Sequence, residues 1–207
     1  MYARTTTLRG NPAAVDEAIA VVRDEWLPMT TQLAGCTGLS MLAAHRTGRC
    51  ILTTGWETEP ALLASAESTR EIRARVARVL SAVPVVAQWE VAVMHRVQPT
   101  GEQACARVTW SALRDPATMD EDVATFRMSL LPRIEELVGF CSASLMIDRL
   151  AGRAVASVTY ADREAMRAAG QHADALQQEY ARAMGGRITE VAELDLVVAH
   201  LRVPETV

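Results

Sequence analysis

Residues 27–35, LPMTTQLAG, return 104 positions later as residues 131–139, LPRIEELVG. Further pairs share this offset: Asn11-Pro12 with Asp115-Pro116, Gly48-Arg49 with Gly152-Arg153, and Trp56 with Tyr160. The offset is 103 at Ala3-Arg4 against Ala106-Arg107 and 105 at His95 against His200. A repeat this long exceeds the roughly 20–50 residues of solenoid units, so the chain is a tandem domain duplication. We predict a first unit at 1–98, a linker and strand start at 99–105, and a second unit at 106–207.

Composition predicts a soluble, globular protein. The chain has 207 residues, is 50% hydrophobic and carries a formal net charge of −4. No stretch approaches the roughly 18 uninterrupted apolar residues of a membrane span, and the first residues do not resemble a secretion signal. We therefore expect a cytoplasmic location without membrane association. The basic residues are all arginines scattered over both halves, which argues against a nucleic-acid partner.

The cysteines give no sign of a metal or redox site. Cys36, Cys50, Cys105 and Cys141 are widely spaced, without a CxxC pair or a histidine at zinc-ligand spacing. We expect them to be small, buried apolar side chains and to bind no metal.

Each unit has the same predicted order of elements. A strand near residues 3–9 precedes a helix start with Asn11 as N-cap and Pro12 in the first turn; Asp115 and Pro116 repeat it. Apolar residues at helical spacing follow, and a Leu-Pro pair near the last turns should loosen the helix in both units. A hairpin, a second helix (60–80 and 163–184) and a last strand (86–95 and 191–200) complete the pattern.

The order βαββαβ is the split βαβ, or ferredoxin-like, arrangement. Two helices would cover one face of each four-stranded sheet and leave the other face open. Two tandem units solve this by packing sheet to sheet, so that the chain forms its own pseudo-dimer. The predicted fold class is α+β, with two ferredoxin-like units in a pseudo-dimeric α+β barrel.

The junctions after the third strand of each unit suggest a family. Residues 52–62, LTTGWETEPAL, and 158–166, VTYADREAM, place an aromatic residue, a short polar segment and then a helix start in sequence. This pattern resembles the dimeric α+β barrel superfamily, and within it the antibiotic-biosynthesis monooxygenase-type domains. The resemblance covers almost the whole chain.

The resemblance implies a pocket between sheet and helices in each unit, suited to a flat and largely apolar ligand. It also implies a cofactor-independent monooxygenase acting on a small aromatic or polycyclic quinol-type substrate. The haem-degrading members are a poorer match. They need an asparagine on the first strand, where this chain has Thr5-Thr6-Thr7, and a histidine on the second helix, where the first unit has Ala64-Ser65-Ala66.

Five residues are candidates for contacting the substrate. Trp56 and Tyr160 stand at the family's pocket position, where each either stacks on an aromatic ligand or plugs the junction of strand and helix. Trp26 and Met29 either form the opposite wall or belong to the core. Trp110 is the corresponding candidate on the first strand of the second unit.

His172 is the candidate catalytic residue. It lies near the middle of the second helix of unit two, where an imidazole facing the pocket would act as the base on a quinol hydroxyl. The alternative is a solvated helix face. A non-catalytic binding or structural protein, using the same pocket for an apolar ligand, remains the competing hypothesis. We expect no cofactor, a small apolar or aromatic molecule as partner, and further pairing into homodimers as an open possibility.

Overall fold

A computed structural model describes residues 1–112, 116–183 and 186–201 of the chain. The predicted N-cap Asp115 and the predicted helix end Met184 lie outside this described part. Within it, no helix combines the length and the apolar character needed to cross a membrane.

Eight strands and a series of helical segments make up the described chain. The strands are β1 Tyr2–Arg9, β2 Cys36–Ala44, β3 Arg49–Trp56, β4 Val85–Arg96, β5 Cys105–Ala112, β6 Phe140–Asp148, β7 Arg153–Tyr160 and β8 Arg187–Leu201. The α-helices are α1 Val15–Val21, α2 Leu27–Thr30, α3 Glu59–Ser68, α4 Arg70–Val79, α5 Met119–Thr125, α6 Leu131–Glu135 and α7 Arg163–Ala183. The 3-10 turns Pro12–Ala14 and Pro116–Thr118 precede α1 and α5, and the π-helical segments Val22–Trp26 and Phe126–Leu130 follow them.

The strands are hydrogen-bonded in the closed order β1-β3-β2-β8-β5-β7-β6-β4. Within each repeat the order is therefore β4-β1-β3-β2 or β8-β5-β7-β6, which is the ferredoxin-like order. The hairpin registers also repeat: Leu42 faces Ile51 in the first repeat, and Met146 faces Val155 in the second. The predicted fold class, a pseudo-dimeric α+β barrel of two ferredoxin-like units, is confirmed.

Contacts divide the chain into two compact units that differ from the sequence repeats. Unit 1 contains residues 1–89 and the end of β8 from Asp195 onward, and unit 2 contains residues 90–194. In unit 1, β2 pairs with the end of β8, from Ala43 opposite Asp195 to Gly38 opposite Leu201. In unit 2, residues 90–96 of β4 pair with β6. The predicted boundaries at 98 and 106 refer to the repeats and stay predictions for domains.

The first helix of each repeat begins and changes where the sequence indicates. Asn11 caps the first turn, because its side-chain oxygen accepts a hydrogen bond from the Ala13 N–H at 3.1 Å. Before each Leu-Pro pair the helix widens to π geometry, and the Leu27 N–H bonds the Val22 carbonyl five residues earlier. Leu131 does the same with Phe126. The wider turn accommodates a proline that has no N–H to donate, so the predicted loosening is confirmed.

The second helix differs between the repeats. The sequence predicts one helix over 60–80, but the structure breaks it at Thr69 into α3 and α4, whereas α7 is continuous. The Thr69 hydroxyl donates to the Ser65 carbonyl at 2.8 Å and so competes with the regular helical pattern. Alanine stands at the equivalent position 173, where no such hydroxyl exists.

Each unit has its own hydrophobic core between helices and sheet. In unit 1, Trp26 and Leu52 are packed with the apolar faces of α1 and α4. In unit 2, Phe126 and Leu145 are packed with Leu176 of α7. The unit 2 core residues Phe126, Leu145 and Leu176 also form walls of the cavity that is the candidate site.

Candidate functional site

Unit 2 contains a cavity of about 60 Å³ between its sheet and its helices. Since a single water needs at least roughly 10–15 Å³ of such space, the cavity has room for more than one water and suits a small ligand better than a polycyclic one. Its lining is mainly apolar, with a few polar groups. The residues are Arg107, Thr109, Ser111, Phe126, Leu130, Ile134, Leu137, Leu145, Ala156, Val158, Tyr160, Ala173, Leu176, Gln177, Tyr180, Ala181, Gly186 and Ile188.

The alternation of the strands selects the side chains that reach the cavity. Arg107, Thr109 and Ser111 are every second residue of β5, so they share one face of the sheet. On β7, Val158 and Tyr160 follow the same rule. The helical wall includes an edge-to-face pair of Phe126 and Tyr180, whose ring centroids are 5.6 Å apart.

Arg107 is held by carboxylates and still has a free donor. Its Nη2 forms an ion pair with Asp174 of α7, and its Nη1 lies 4.0 Å from Glu193 of β8. The Nε of Arg107 is buried and has no hydrogen-bond partner in the protein. The ion pairs hold the two Nη atoms of the guanidinium group, and the Nε–H is left without a partner in the protein.

The Tyr160 hydroxyl is the second polar group without a hydrogen-bond partner among the residues that line the cavity. The residue is fully buried, and its hydroxyl has no hydrogen-bond partner. Burial raises the pKa of Tyr160 to about 12, and the nearby Arg107 charge lowers the pKa by less. The phenol thus stays protonated at neutral pH and can donate a hydrogen bond.

Together these groups suit an aromatic ligand with an oxygen substituent. Apolar walls would bury the ring, and two donors would bind a carbonyl, hydroxyl or phenolate oxygen. Among the described residues that line the cavity, none is His, Asp, Glu, Lys or Cys. The lining therefore supplies hydrogen bonds and one positive charge, but no general base. Across the described ranges, no three His, Cys, Asp or Glu residues form a group that could hold a metal ion.

At three equivalent positions, unit 1 carries larger side chains than unit 2. Leu8 stands at the position of Ser111, Trp26 at that of Leu130, and Leu52 at that of Ala156. Leu8 and Leu52 are each 1% exposed and Trp26 is 2% exposed. At these three positions the second repeat has the smaller side chain, which leaves more space beside its sheet.

The six residues predicted from the sequence are all described, and the structure brings Tyr160 to the cavity. Trp56 is fully buried in unit 1, and its Nε1 donates to the Thr54 hydroxyl at 3.1 Å. Trp26 belongs to the unit 1 core. Met29 is half-buried and lies at a surface groove between the first helix and α4, beside Glu25 and Ile72.

Two further candidates lie away from the cavity. Trp110 alternates with Arg107, Thr109 and Ser111 on β5, so its side chain lies on the opposite face of the strand. His172 is exposed on α7, while the neighbouring Ala173 faces the cavity. The structure thus places His172 on the solvated helix face, which was the stated alternative, while the turn of α7 directs Ala173, Leu176 and Gln177 inward; its catalytic role stays a prediction.

Arg107 is the site residue that the sequence analysis missed as a functional group. Its signal was present: Ala3-Arg4 and Ala106-Arg107 are matched in the repeat. An arginine that recurs at the same position of the first strand in both repeats, beside an alanine, indicates a charge that is held against the protein, and a buried charge needs a specific partner.

Comparison with known proteins relates the chain to other proteins of this fold. No family model matches the chain. The protein is 42% identical to the uncharacterized protein Rv2557 of Mycobacterium tuberculosis, over all of this chain and 92% of that protein. It is 41% identical to Rv2558 of the same organism, over all of this chain and 88% of that protein.

Solved structures with much lower sequence identity share the fold. A protein of Fusobacterium nucleatum provisionally classed as a monooxygenase has a TM-score of 0.70 at 12% identity, covering 97% of this chain and 94% of that one. An anthrone oxidase-like protein has a TM-score of 0.64 at 12% identity, covering 99% and 94%. A haem-degrading enzyme of Listeria monocytogenes has a TM-score of 0.53 at 11% identity, covering 94% and 99%.

These matches define the class of fold first: the chain shares the ferredoxin-like α+β fold of a protein described as a monooxygenase and of one described as related to antibiotic biosynthesis monooxygenases. Within that class, it belongs to the family of the mycobacterial proteins Rv2557 and Rv2558.

Proposed function

We propose that unit 2 binds a small phenol- or quinol-type molecule and promotes its oxidation by O₂ without a cofactor. The observation that carries this proposal is that two residues lining one apolar cavity, Arg107 and Tyr160, each have a buried donor without a partner, the Nε and the hydroxyl. Buried polar groups without partners are rare in folded proteins, and a ligand oxygen would satisfy both. Structural likeness to proteins described as monooxygenase and anthrone oxidase-like supports the reaction class.

The cavity would act by stabilising an anion. Hydrogen bonds from Tyr160 and Arg107 favour the ionised form of a bound phenol, and each unit by which they lower its pKa corresponds to about 1.4 kcal/mol. Because no base lines the cavity, the proton passes to solvent as an already acidic substrate ionises. Substrates whose hydroxyl or activated CH₂ ionises near neutral pH should therefore react best.

The oxidation itself needs O₂ as its sole co-reactant. The bound anion gives one electron to O₂, and the resulting radical and superoxide combine to form a C–O bond. The peroxide takes up a proton and loses water, leaving a carbonyl group. For an activated CH₂ the balance is CH₂ + O₂ → C=O + H₂O. The protein positions and desolvates the anion, and Arg107 offsets its charge.

Non-catalytic binding of an apolar ligand is the second candidate function. The lack of an acid or base among the residues lining the cavity favours it. A binding protein needs the same apolar walls and donors but no reactivity toward O₂. The two candidates therefore differ in turnover and agree in ligand affinity.

The test is O₂ uptake by metal-free protein with single-ring quinols, naphthoquinols and anthrone. Variants Tyr160→Phe and Ala156→Leu change the cavity of unit 2. The first removes a donor, and the second introduces the leucine that unit 1 has at residue 52. Trp56→Phe is the matched control in unit 1, since it changes the equivalent aromatic residue outside the cavity.

We expect uptake above the uncatalysed rate, with a tenfold or larger loss in Tyr160→Phe and Ala156→Leu and little change in Trp56→Phe. Ligand quenching or calorimetry on the same variants separates binding from turnover. Tight binding without O₂ uptake would support the binding protein. If the protein neither binds these compounds nor takes up O₂ with them, both functions are excluded for this class of compounds.

A further inference from the structure

Unit 1 contains a buried arginine that has only neutral partners. Arg4 of β1 is 4% exposed. Its Nη1 donates to the Ser65 hydroxyl at 2.7 Å, and its Nη2 donates to the Leu62 carbonyl at 2.6 Å. Arg4 is the repeat equivalent of Arg107, yet Arg107 has two carboxylates beside it.

A second arginine joins the same network. Arg73 of α4 is half-buried, and its Nη1 lies 3.5 Å from the Thr69 hydroxyl. The Thr69 hydroxyl in turn donates to the Ser65 carbonyl, so Ser65 and Thr69 connect the two guanidinium groups. In unit 2 the equivalent residue is Gln177, which is neutral.

The network carries two positive charges and no negative one. Throughout the described residues, no carboxylate lies within ion-pair distance of Arg4 or Arg73. Burial lowers the pKa of Arg4, and the charge of Arg73 lowers it further. A guanidinium nevertheless stays protonated in proteins, and uncompensated buried charge is unfavourable. The charges therefore call for an anion.

Two unpartnered polar atoms belong to the same region. Trp26 Nε1 and Thr30 Oγ1 are buried without hydrogen-bond partners, and the two residues are 2% and 0% exposed. They are the repeat equivalents of Leu130 and Ile134, which line the unit 2 cavity together with Arg107. By this correspondence, the free N–H and hydroxyl lie on the side of the unit 1 sheet that Arg4 occupies.

We propose that unit 1 binds a small oxyanion of phosphate size at Arg4 and Arg73. The guanidinium groups supply charge, and Trp26 Nε1 and the Thr30 hydroxyl are available as additional donors. Leu8 and Leu52 occupy part of the region that is open in unit 2, and Arg73 is the half-buried member of the network, so a small anion would enter from the Arg73 side. The two repeats would then have diverged into an anion site and an aromatic site.

The probe is inorganic phosphate, titrated calorimetrically at constant ionic strength, with thermal unfolding in phosphate and in chloride as a second measurement. Arg73→Gln introduces the residue that unit 2 has at position 177. The matched control is Arg78→Gln, which removes the same charge from an exposed position of α4. General salt effects on stability act equally on both variants.

We expect phosphate binding to wild type and Arg78→Gln, with at least a tenfold weaker Kd in Arg73→Gln and a smaller rise of Tm in phosphate. Thr30→Val removes the hydroxyl and keeps the shape of the side chain, so it should also weaken phosphate binding. It tests the proposal even if Arg73→Gln does not fold. Absence of phosphate binding by the wild-type protein would overturn the proposal. Buried water would then be the partner of Trp26 Nε1 and Thr30 Oγ1. Equal affinities of Arg73→Gln and Arg78→Gln would also overturn it.

Discussion

Arg4 and Arg107 show how one inherited residue acquires different surroundings. Both lie on the first strand of a repeat and face the helices. Arg107 pairs with Asp174 and has one donor without a partner, whereas Arg4 donates to neutral oxygens on α3. The difference arises from helix residues, such as Asp174 in place of Arg70, rather than from the arginine itself.

Tyr160 gives a prediction for alkaline pH. Its pKa rises from 10.0 to about 12 on folding because the phenol is buried. Between these values the unfolded state binds fewer protons than the folded state, so the free energy of unfolding falls as pH rises. Between pH 8 and about pH 11.5, the free energy of unfolding of wild type should therefore fall by about 2 kcal/mol more than that of Tyr160→Phe. Urea unfolding at both pH values measures this, and an equal loss in wild type and variant would contradict it.

At the scale of elements, the repeats differ both in their helices and in their strands. Thr69 lies where the second helix of unit 1 is interrupted, whereas Ala173 stands there in the continuous α7 and lines the cavity. On the strands, Ala156 replaces Leu52 and Ser111 replaces Leu8. Each change is a small difference in volume, and together they produce the cavity.

Two glycines in one region should respond oppositely to alanine. Gly139 has φ +71°, and an added Cβ would lie 2.3 Å from the Ala165 Cβ at the start of α7. Gly139→Ala should destabilise the protein by at least about 1–2 kcal/mol, because a left-handed conformation is unfavourable for alanine and α7 must shift.

Gly170→Ala is the matched control. Gly170 lies within α7, and an added Cβ has no atom within 4 Å. Alanine there should stabilise the protein by about 0.5–1 kcal/mol. Chemical denaturation of both variants gives the two differences, and a neutral Gly139→Ala would show that α7 adapts to the added methyl group.

At the scale of the whole molecule, the compact units do not coincide with the repeats. Unit 1 needs residues from 195 onward, which pair with β2, and residues 90–96 pair with β6 in unit 2. A fragment of residues 1–98 would leave β2 as an unpaired sheet edge, which favours association.

We therefore expect the 1–98 fragment to form no stable folded monomer. Light scattering after size exclusion should show aggregates or self-association, and co-expression with residues 99–207 should restore a soluble complex. A folded, monomeric 1–98 fragment would contradict this expectation.

The sequence alone determined the duplication, the order of elements and the fold class, because repeated Leu-Pro, Gly and aromatic positions report local backbone requirements. It also named Tyr160 as a candidate, and the structure places that residue in the cavity lining. The tertiary structure alone decided that His172 and Trp110 lie away from the cavity, and that the Arg107 Nε has no partner in the protein. These properties depend on packing volume and on partners distant in sequence, such as Asp174 for Arg107, and no local pattern encodes them.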